Sequence, residues 1–378
     1  MNIIKESAPH LRRKDSLARM MVDVIIALLP VIVFSLVVYK LAALRNILLS
    51  VATMELCEFV FILIKNRIPY DGEKHTIKEK WEHSIKGYGI NSFLVPLVSA
   101  LIYALILPAS TNPEGLIYFV VVTGALFGEI IGKLVFGGTG KNIFNPAAVG
   151  MVFSELCFGS KYNHPTSTGY YDVTAGATPL ANSTTIIESS KALVFNIGDY
   201  SLLDLFLGRI PGMIGETCKV CIIVGLIYLI IRHTIDFRIV VSYLGTFSLL
   251  MLFAGIIIHA KQPEIGVFNF LGYEFLSGGL LFGAVFMATD PVTSPITRPG
   301  RLIYGAILGV STVMIRLFGA LPEGVAFSIL IVNLCTSVID YRKWSTNAYT
   351  WKNILALSLI VVLALLCLVW ALCVEVFR

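Results

Sequence analysis

Charged residues are scarce in this sequence. Asp, Glu, Lys and Arg make up 14% of its 378 residues, whereas water-soluble chains carry about 25%. Apolar side chains make up 56%, and the mean hydropathy is +0.82. This composition excludes a soluble enzyme fold and a disordered tail. The net charge of +5 is also small, so a nucleic-acid partner is not expected.

The patterns of a metal centre, a hydrolase and a nucleotide-binding loop are missing as well. Cys218 and Cys221 form a CxxC pair, but no second pair and no nearby histidine pair completes four ligands, so we interpret them as packing residues. None of the six histidines is part of a nucleophile pattern. The glycine-rich segment 137–142 fails the phosphate-loop pattern, because Val135 and Asn142 stand where glycine and a hydroxyl residue are needed.

Long apolar runs, in contrast, are abundant. About 20 apolar residues cross a hydrocarbon core, and two shorter runs are interrupted by Pro146 or bounded by Pro291. The sequence therefore predicts an all-α polytopic membrane protein with 10–11 transmembrane helices. The runs span residues 20–39, 43–64, 90–108, 115–136, 143–158, 213–231, 239–258, 274–290, 301–318, 322–340 and 354–376.

The distribution of Lys and Arg supports eleven crossings. With the N-terminus in the cytoplasm, the inside segments carry 20 basic residues and the outside segments carry 7, as the positive-inside rule requires. Dropping either interrupted run would invert every later loop. The long polar loop 159–212 then lies outside the membrane, and its sequence shows no obvious secondary structure.

Five segments follow from this organisation. Residues 1–19 form a cytoplasmic N-terminal segment, 20–158 a first membrane half of five helices, and 159–212 the external loop. Residues 213–340 form a second half of five helices, and 341–378 a C-terminal segment with an extra transmembrane helix. Because five is odd, the two halves would be inverted relative to each other, with an interrupted helix in each, as in many transporters. The similarity between the halves is slight, so chance explains it equally well.

Two asparagines around a Phe-Asn-Pro tripeptide are candidate binding residues. Asn142 and Asn145 each offer a donor and an acceptor to a flat ring that has both kinds of polar edge. A tight turn between helices, capped by asparagine, explains them equally well. The pattern leaves both interpretations open.

Acidic residues inside apolar runs are costly and often mark ion routes. Glu129 lies one turn before Lys133, which predicts an ion pair between them. Glu58 and Asp290 have no basic residue one turn away, and hydroxyl side chains surround Asp290. These two carboxylates are therefore harder to explain as paired structural residues.

Four stretches of the chain resemble a known family. The resemblance is to the D subunits of Rnf complexes, which are membrane-bound ferredoxin:NAD+ oxidoreductases, and more distantly to the B subunits of Na+-translocating NADH:quinone oxidoreductases. It runs in order over roughly residues 5–343. The stretches are SAPH at 7–10, FGGTGKNIFNPAAVG at 136–150, GATPLA at 176–181, and ATDPVTSPITRPGRLIYGAILG from Ala288, continued by EGVAF at 323–327 and IDY at 339–341.

The resemblance implies a covalent flavin in the external loop. By position, Thr178 carries FMN through a phosphoester bond, in a motif that includes Asp172, Gly176 and Ala177. The small neighbours leave the threonine hydroxyl accessible to an exported flavin transferase. One departure is Ala175, where the family commonly has Ser or Thr. Val173 is a second departure, because a glycine is frequent there.

A second flavin is also implied. Members of the family are expected to hold riboflavin among the helices without a covalent bond. Asn142 and Asn145 match the positions associated with it. This resemblance favours the binding interpretation of the two carboxamides over the capping one.

The implied function is an electron relay in a bacterial cytoplasmic membrane. Electrons pass from reduced ferredoxin to NAD+ in a complex that also contains the A, B, C, E and G subunits, while Na+ or H+ moves outward. Flavin reduction adds negative charge that a cation must compensate in a low dielectric. We therefore expect Glu58, Asp290 and Asp340 on or near the ion route. The last apolar run, 354–376, departs from the family pattern.

Two other functions remain open. Five-helix inverted halves with broken helices also suit a solute channel or carrier of urea-transporter-like fold. A passive scaffold for redox partners is the third interpretation. A covalent flavin on the denatured chain would separate the relay from both.

Overall fold

The described part of the chain is almost entirely helical. The computed structural model describes residues 16–66, 79, 83–85, 88–163, 180, 184–187, 192–195, 200–319, 323–341 and 348–376. The helices in this part are α1 (Leu17–Tyr39), α2 (Leu41–Lys65), α3 (Ile90–Leu105), α4 (Leu116–Gly132), α5 (Pro146–Phe158), α6 (Leu202–Leu207), α7 (Lys219–Ile231), α8 (Phe237–Lys261), α9 (Val267–Leu276), α10 (Leu280–Met287), α11 (Arg298–Phe318), α12 (Val325–Ile339) and α13 (Trp351–Val376).

Each predicted apolar run coincides with a helix, and the run 274–290 coincides with the pair α9 and α10. Six described helices are long and apolar enough to cross a membrane: α1, α2, α4 with the 3-10 turn that follows it, α8, α11 and α13. A seventh span results if α9 and α10, which meet at a bend of 58°, count as one broken crossing. The chain is thus a multi-pass membrane protein, with fewer full-length spans in its described part than the 10–11 expected.

Three other apolar helices, α3, α7 and α12, are shorter than the six long ones. α7 has 13 residues, or about 20 Å of helix, against about 30 Å of hydrocarbon. Before α7, the Gly215 N–H donates to the Leu105 carbonyl at 2.6 Å, and the Ile214 N–H donates to the Leu107 carbonyl at 3.1 Å. Irregular backbone is stable at membrane depth where protein satisfies its polar groups. These hydrogen bonds satisfy the N–H groups of Ile214 and Gly215, shortly before α7 begins.

Small residues let α4 and α5 pack closely. A Cβ on Gly128 would lie 2.6 Å from the Pro146 carbonyl oxygen, and a Cβ on Gly150 would lie 2.7 Å from the Gly124 carbonyl oxygen. Larger side chains would push the two helices apart. Close approach of backbones is how membrane helices gain van der Waals contact. The packing holds the start of α5, and with it the Phe-Asn-Pro tripeptide, against α4.

Two helix pairs join the segments 20–158 and 213–340. α1 packs along α7, and α5 packs against α12. Within the segments, α2 contacts α3 and α4, while α8 contacts α11. α13 lies against α8 and α11, where Leu368 and Leu372 are fully buried. The C-terminal helix is therefore part of the packed bundle.

The loop predicted at 159–212 contains regular structure in its described parts. Strand β1 (Ser110–Thr111) pairs antiparallel with β2 (Tyr162–Asn163), and β3 (Thr184–Ile187) pairs antiparallel with β4 (Ala192–Phe195). Helix α6 follows. These elements were not obvious from the sequence. Strands β3 and β4 are short segments of β-branched and apolar residues, too brief to stand out against the polar residues around them.

Candidate functional site

The Phe-Asn-Pro tripeptide lies against the second half of the chain. The Asn145 side-chain oxygen accepts hydrogen bonds from the N–H groups of Ala147 at 3.0 Å and Ala148 at 3.3 Å. Asn145 is therefore the N-cap of α5, which confirms the capping interpretation for this residue. Its Nδ2 donates to the Met287 carbonyl at 3.1 Å. Since Met287 ends the π-helical turn of α10, one side chain both starts α5 and attaches it to the broken helix.

A cavity of about 170 Å³ lies between the two groups of helices. Its walls are largely apolar side chains of α1, α3 and α7, while Thr139, Asn142, Asn145, Thr289 and Asp290 contribute polar groups. The structure thus brings together Asn142, Asn145 and Asp290, which the sequence analysis had identified separately. The Thr139 hydroxyl is buried and has no hydrogen-bond partner among the described residues.

Asn142 is also engaged in a local turn. Its Nδ2 donates to the Phe144 carbonyl at 3.0 Å, and the residue is 9% exposed. A carboxamide has two N–H donors and a carbonyl acceptor, so this bond leaves other polar capacity available. Capping and ligand binding are therefore compatible for this side chain.

Asp290 is surrounded by local donors. The Thr293 hydroxyl donates to its carboxylate at 3.0 Å, and the Val292 N–H donates at 3.3 Å. No Lys or Arg of the described chain lies within ion-pair distance of it. Asp290 is thus a carboxylate at the cavity that is hydrogen-bonded but not neutralised by a described ion pair.

A buried ion triad borders the same cavity. Lys133 Nζ lies 2.7 Å from Glu129 Oε1, which confirms the predicted pair on α4. It also lies 3.1 Å from Glu58 Oε2 on α2. All three side chains are at most 4% exposed. Glu58, which has no partner within its own helix, is therefore paired across helices, and the triad has one excess negative charge.

Asp340 does not line the cavity. It accepts hydrogen bonds from the Ile296 N–H at 2.6 Å and from the Thr297 hydroxyl at 2.7 Å. These bonds attach the end of α12 to the start of α11. Its place on an ion route remains a prediction.

The predicted FMN motif lies outside the described residues. This applies to Thr178, Asp172, Gly176 and Ala177. Leu180, two residues after Thr178, is described and 1% exposed.

Leu180 packs into the bundle at the break between α9 and α10. A Cβ on Gly278 would lie 3.0 Å from a Leu180 methyl group and 3.3 Å from the Arg316 guanidinium. Leu180 is therefore the residue of the GATPLA segment that packs against the second half of the chain.

A second group of buried charged residues surrounds that break, and we name it the Arg316 cluster. The Arg316 guanidinium donates to the carbonyls of Glu274 at 2.6 Å and Glu323 at 3.2 Å. Lys219 Nζ donates to the carbonyls of Glu216 and, at 2.8 Å, Gly278. The cluster comprises Glu216, Lys219, Glu274, Arg316 and Glu323.

Sequence reasoning did not identify the Arg316 cluster. The available signal was a basic residue inside each of two apolar runs, Lys219 and Arg316, since such residues are rare in membrane helices and usually functional or paired.

A further group that the sequence analysis missed includes Asp23 on α1. Asp23 is 4% exposed and accepts from Tyr228 at 3.1 Å and Arg232 at 3.2 Å.

A wider recess of about 480 Å³ adjoins the cavity and shares Thr234 and Thr289 with it. Asp236, the N-cap of α8, lies in its wall. Burial alone would raise the pKa of the Asp236 carboxyl, but the Arg238 N–H and the guanidinium groups of Arg301 and Arg238 outweigh it and lower the pKa. Asp236 therefore stays ionised and holds two arginines at this recess.

Residues 4–348 match the model of the NQR2, RnfD, RnfE family. The chain belongs to this family. One relative, the D subunit of the Na+-translocating ferredoxin:NAD+ oxidoreductase complex of Acetobacterium woodii, is 32% identical over 346 residues, which cover 90% of this chain and 93% of the relative. The D subunit of the proton-translocating ferredoxin:NAD+ oxidoreductase complex of Clostridium ljungdahlii is 31% identical over 342 residues, or 88% of this chain and 92% of the relative.

The NQR2 branch of the family matches a smaller part. The B subunit of the Na+-translocating NADH-quinone reductase of Chromohalobacter salexigens is 36% identical over 262 residues. The matched region covers 68% of this chain and 59% of that relative. Family membership therefore rests on nearly the whole chain, while the match to this longer relative leaves much of it uncovered.

Proposed function

We propose that this chain is the flavin-carrying membrane subunit of a complex that couples ferredoxin oxidation and NAD+ reduction to outward translocation of Na+ or H+. The observation that carries the proposal is the ordered family match over residues 4–348, with relatives named as the D subunits of such complexes. The partners are then the A, B, C, E and G subunits of an Rnf complex, in a bacterial cytoplasmic membrane. Bound FMN and riboflavin would supply the redox chemistry.

The covalent FMN belongs on Thr178. Leu180 supports this assignment, because it is two residues after Thr178 and is buried beside Gly278 and Arg316. Two residues of extended chain span at most about 7 Å. The position of Leu180 therefore limits how far from the Arg316 guanidinium a flavin phosphate on Thr178 could be attached. A cation near that phosphate would stabilise its negative charge.

The cavity is our proposed place for riboflavin. Its residues fit a flat ring, because Asn142 and Asn145 offer donors and acceptors and the rest of the wall is apolar. The Thr139 hydroxyl, which has no partner among the described residues, is a further polar group facing a ligand. The adjoining recess of about 480 Å³ gives room for a polar tail.

The ion route, in our proposal, includes carboxylates near this cavity. Glu58 belongs to a triad with one excess negative charge, and Asp290 has no described basic partner. Either can accept a cation at a lower cost than a neutral site, because a buried charge without a counter-ion is unfavourable. Asp340 is the third proposed member.

We further propose inverted five-helix halves, 20–158 and 213–340, with the N-terminus in the cytoplasm and the loop 159–212 outside. In an inverted repeat the first helices of the two halves are related by a two-fold axis, and so are the last helices. The contacts of α1 with α7 and of α5 with α12 join such corresponding helices and are compatible with this relation. Counting the short helices as crossings gives the 10–11 spans expected from the sequence.

The test is covalent flavin on the chain. When the complex is expressed with the flavin transferase, we expect the denatured polypeptide to fluoresce under ultraviolet light and to gain the mass of one FMN. Thr178→Ala should abolish both signals, because the phosphoester needs the hydroxyl. Thr174→Ala is the matched control and should leave them unchanged. A wild-type chain without fluorescence or added mass would refute the flavin role and favour a carrier or scaffold.

A further inference from the structure

The carboxylates of the Arg316 cluster are not all paired with a cation. Arg316 lies 3.5 Å from the Glu274 carboxylate, so these two charges balance. Lys219 donates to backbone carbonyls rather than to a carboxylate. No ion pair within the described residues involves the carboxylates of Glu216 or Glu323. Two carboxylates therefore face one ammonium group, which leaves room for one more positive charge.

A small cavity of about 10 Å³ lies inside this cluster. Glu216, Thr217, Lys219 and Glu323 line it. Glu216 is 6% exposed and its Oε2 has no hydrogen-bond partner among the described residues; Thr217 is 1% exposed and its Oγ1 has none either. Unpaired buried oxygens cost free energy, and a cavity of this size holds one water molecule or a small ion. The oxygens are hard donors of the kind that small cations prefer.

The break between α9 and α10 is shaped to admit this carboxylate. A Cβ on Gly279 would overlap with the Glu216 carboxyl group, so a larger residue at this position would displace the carboxyl group from its place. The carboxyl group thus lies at the N-terminal end of α10, where helix N–H groups and the dipole favour negative charge. On the other side of the break, Lys219 and Arg316 bind the last carbonyls of α9 and the loop after it. The break therefore has the Glu216 carboxyl group beside Gly279 and the two cations at the carbonyls that precede it.

Other titratable groups face the cluster from neighbouring elements. On α1, the Tyr39 phenol lies near Thr217 and Glu216, outside hydrogen-bond geometry with Thr217. Glu155 on α5 faces Glu323, and Cys218 faces Lys219. Glu155 is half-buried, so solvent screens its charge more than the charges of the fully buried carboxylates. Tyr162 in β2 faces Glu155 and Glu323.

We propose that Glu216, Thr217 and Glu323 form a binding site for a single positive charge, carried either as Na+ or as a proton. One monovalent cation would balance the second carboxylate and supply the partners that the Glu216 and Thr217 oxygens lack. The site lies beside Leu180, and so within two residues of the sequence position proposed for FMN. As a step in ion translocation it rests on the proposed function, but its occupancy does not depend on electron transfer.

Infrared difference spectroscopy tests the site directly. The purified complex is kept oxidised in lipid without an electron donor, and is perfused alternately with NaCl and choline chloride at constant pH. A second series changes the pH in choline chloride alone. Wild-type protein is compared with Glu216→Gln, Thr217→Val and the control Glu264→Gln, which alters an exposed carboxylate.

A Na+-induced carboxylate band that is lost in Glu216→Gln and kept in Glu264→Gln shows that the site takes Na+. Thr217→Val should then raise the half-saturating Na+ concentration about tenfold, the effect of about 1.4 kcal/mol from one oxygen ligand. A carboxyl band that responds only to pH and is lost in Glu216→Gln shows that the site takes a proton. The proposal is overturned if no Na+-induced or pH-induced carboxyl band of the wild type is lost in Glu216→Gln. Bands from other carboxyl groups, such as those of Glu58 and Asp290, are expected in both proteins and do not count for or against the site. The presence or absence of flavin fluorescence is unaffected by these outcomes, so the two proposals fail separately.

Discussion

Removing the cation of the buried triad should be far more damaging than removing one of its carboxylates. In Lys133→Met, the Glu129 and Glu58 carboxylates, 2.7 Å and 3.1 Å from the ammonium in the native protein, lose their shared partner while they remain buried. Breaking a buried pair in this way costs about 3–5 kcal/mol. Glu58→Gln leaves Lys133 paired with Glu129 and reduces the triad to neutrality, so we expect a cost of about 1 kcal/mol or less.

The assay is equilibrium unfolding of the purified full-length chain in mixed detergent micelles, followed by the fluorescence of its four tryptophans. A triple variant with Lys133→Met, Glu58→Gln and Glu129→Gln should recover most of the stability lost in Lys133→Met, because no buried charge is left unpaired. The rank order of the three variants by their stability decides the test. If Lys133→Met unfolds at the same denaturant concentration as Glu58→Gln, or if the triple variant is no more stable than Lys133→Met, the triad is not held together by charge as argued.

Two further predictions concern the ends of helices. Asn145→Ala removes the N-cap of α5 and the hydrogen bond to the Met287 carbonyl, so the free energy of unfolding should fall by about 1–2 kcal/mol. Asn145→Asp keeps the cap but lacks the donor, so its free energy of unfolding should fall less. Equal losses in the two variants would contradict separate contributions from the two bonds. The lowered pKa of Asp236 means that its contribution to stability is present above the pKa of the unfolded chain and disappears as the pH falls through the folded-state pKa. Asp236→Asn should therefore be less stable than wild type at neutral pH and show a shallower loss of stability in acid, as measured by thermal unfolding across pH; an unchanged acid limb would contradict the assignment.

Helix positions could be predicted because the bilayer constrains the backbone strongly. Every polar backbone group in hydrocarbon must be satisfied within the chain, so each long apolar run becomes a helix, as α1, α2 and α8 illustrate. The N-cap at Asn145 was one of the two interpretations that the sequence allowed. It could be predicted because asparagine followed by proline is a common start of a helix. The Glu129–Lys133 pair followed from helical spacing alone.

Contacts between distant segments could not be predicted in this way. Glu58 meets Lys133 on another helix, and no spacing rule relates two helices whose packing is unknown. The interruption of the run 274–290 was placed near its bounding proline, but the helix breaks between α9 and α10, where Gly278 has a φ of 60°. Only glycine adopts this conformation without strain, and a glycine pair is a weaker signal in sequence than a proline. Short apolar helices were likewise interpreted as full crossings, because hydropathy does not separate helix from buried irregular backbone.

One short helix, α10, connects the Arg316 cluster with the cavity between the two groups of helices. At its first residues α10 lies against the Glu216 carboxyl group, for which Gly279 leaves space. At its end the Met287 carbonyl accepts from Asn145, and Asp290 follows at the cavity wall. Residues 283–287 between them are a π-helical turn, a geometry that is rare and concentrated at functional sites. A displacement of α10 along its axis would have to move its backbone against Glu216 and stretch the bond to Asn145 together. A cation at the proposed site and a ligand in the cavity would therefore act on the same few residues. Coupling between them would follow if two positions of α10 differed in their contacts with both.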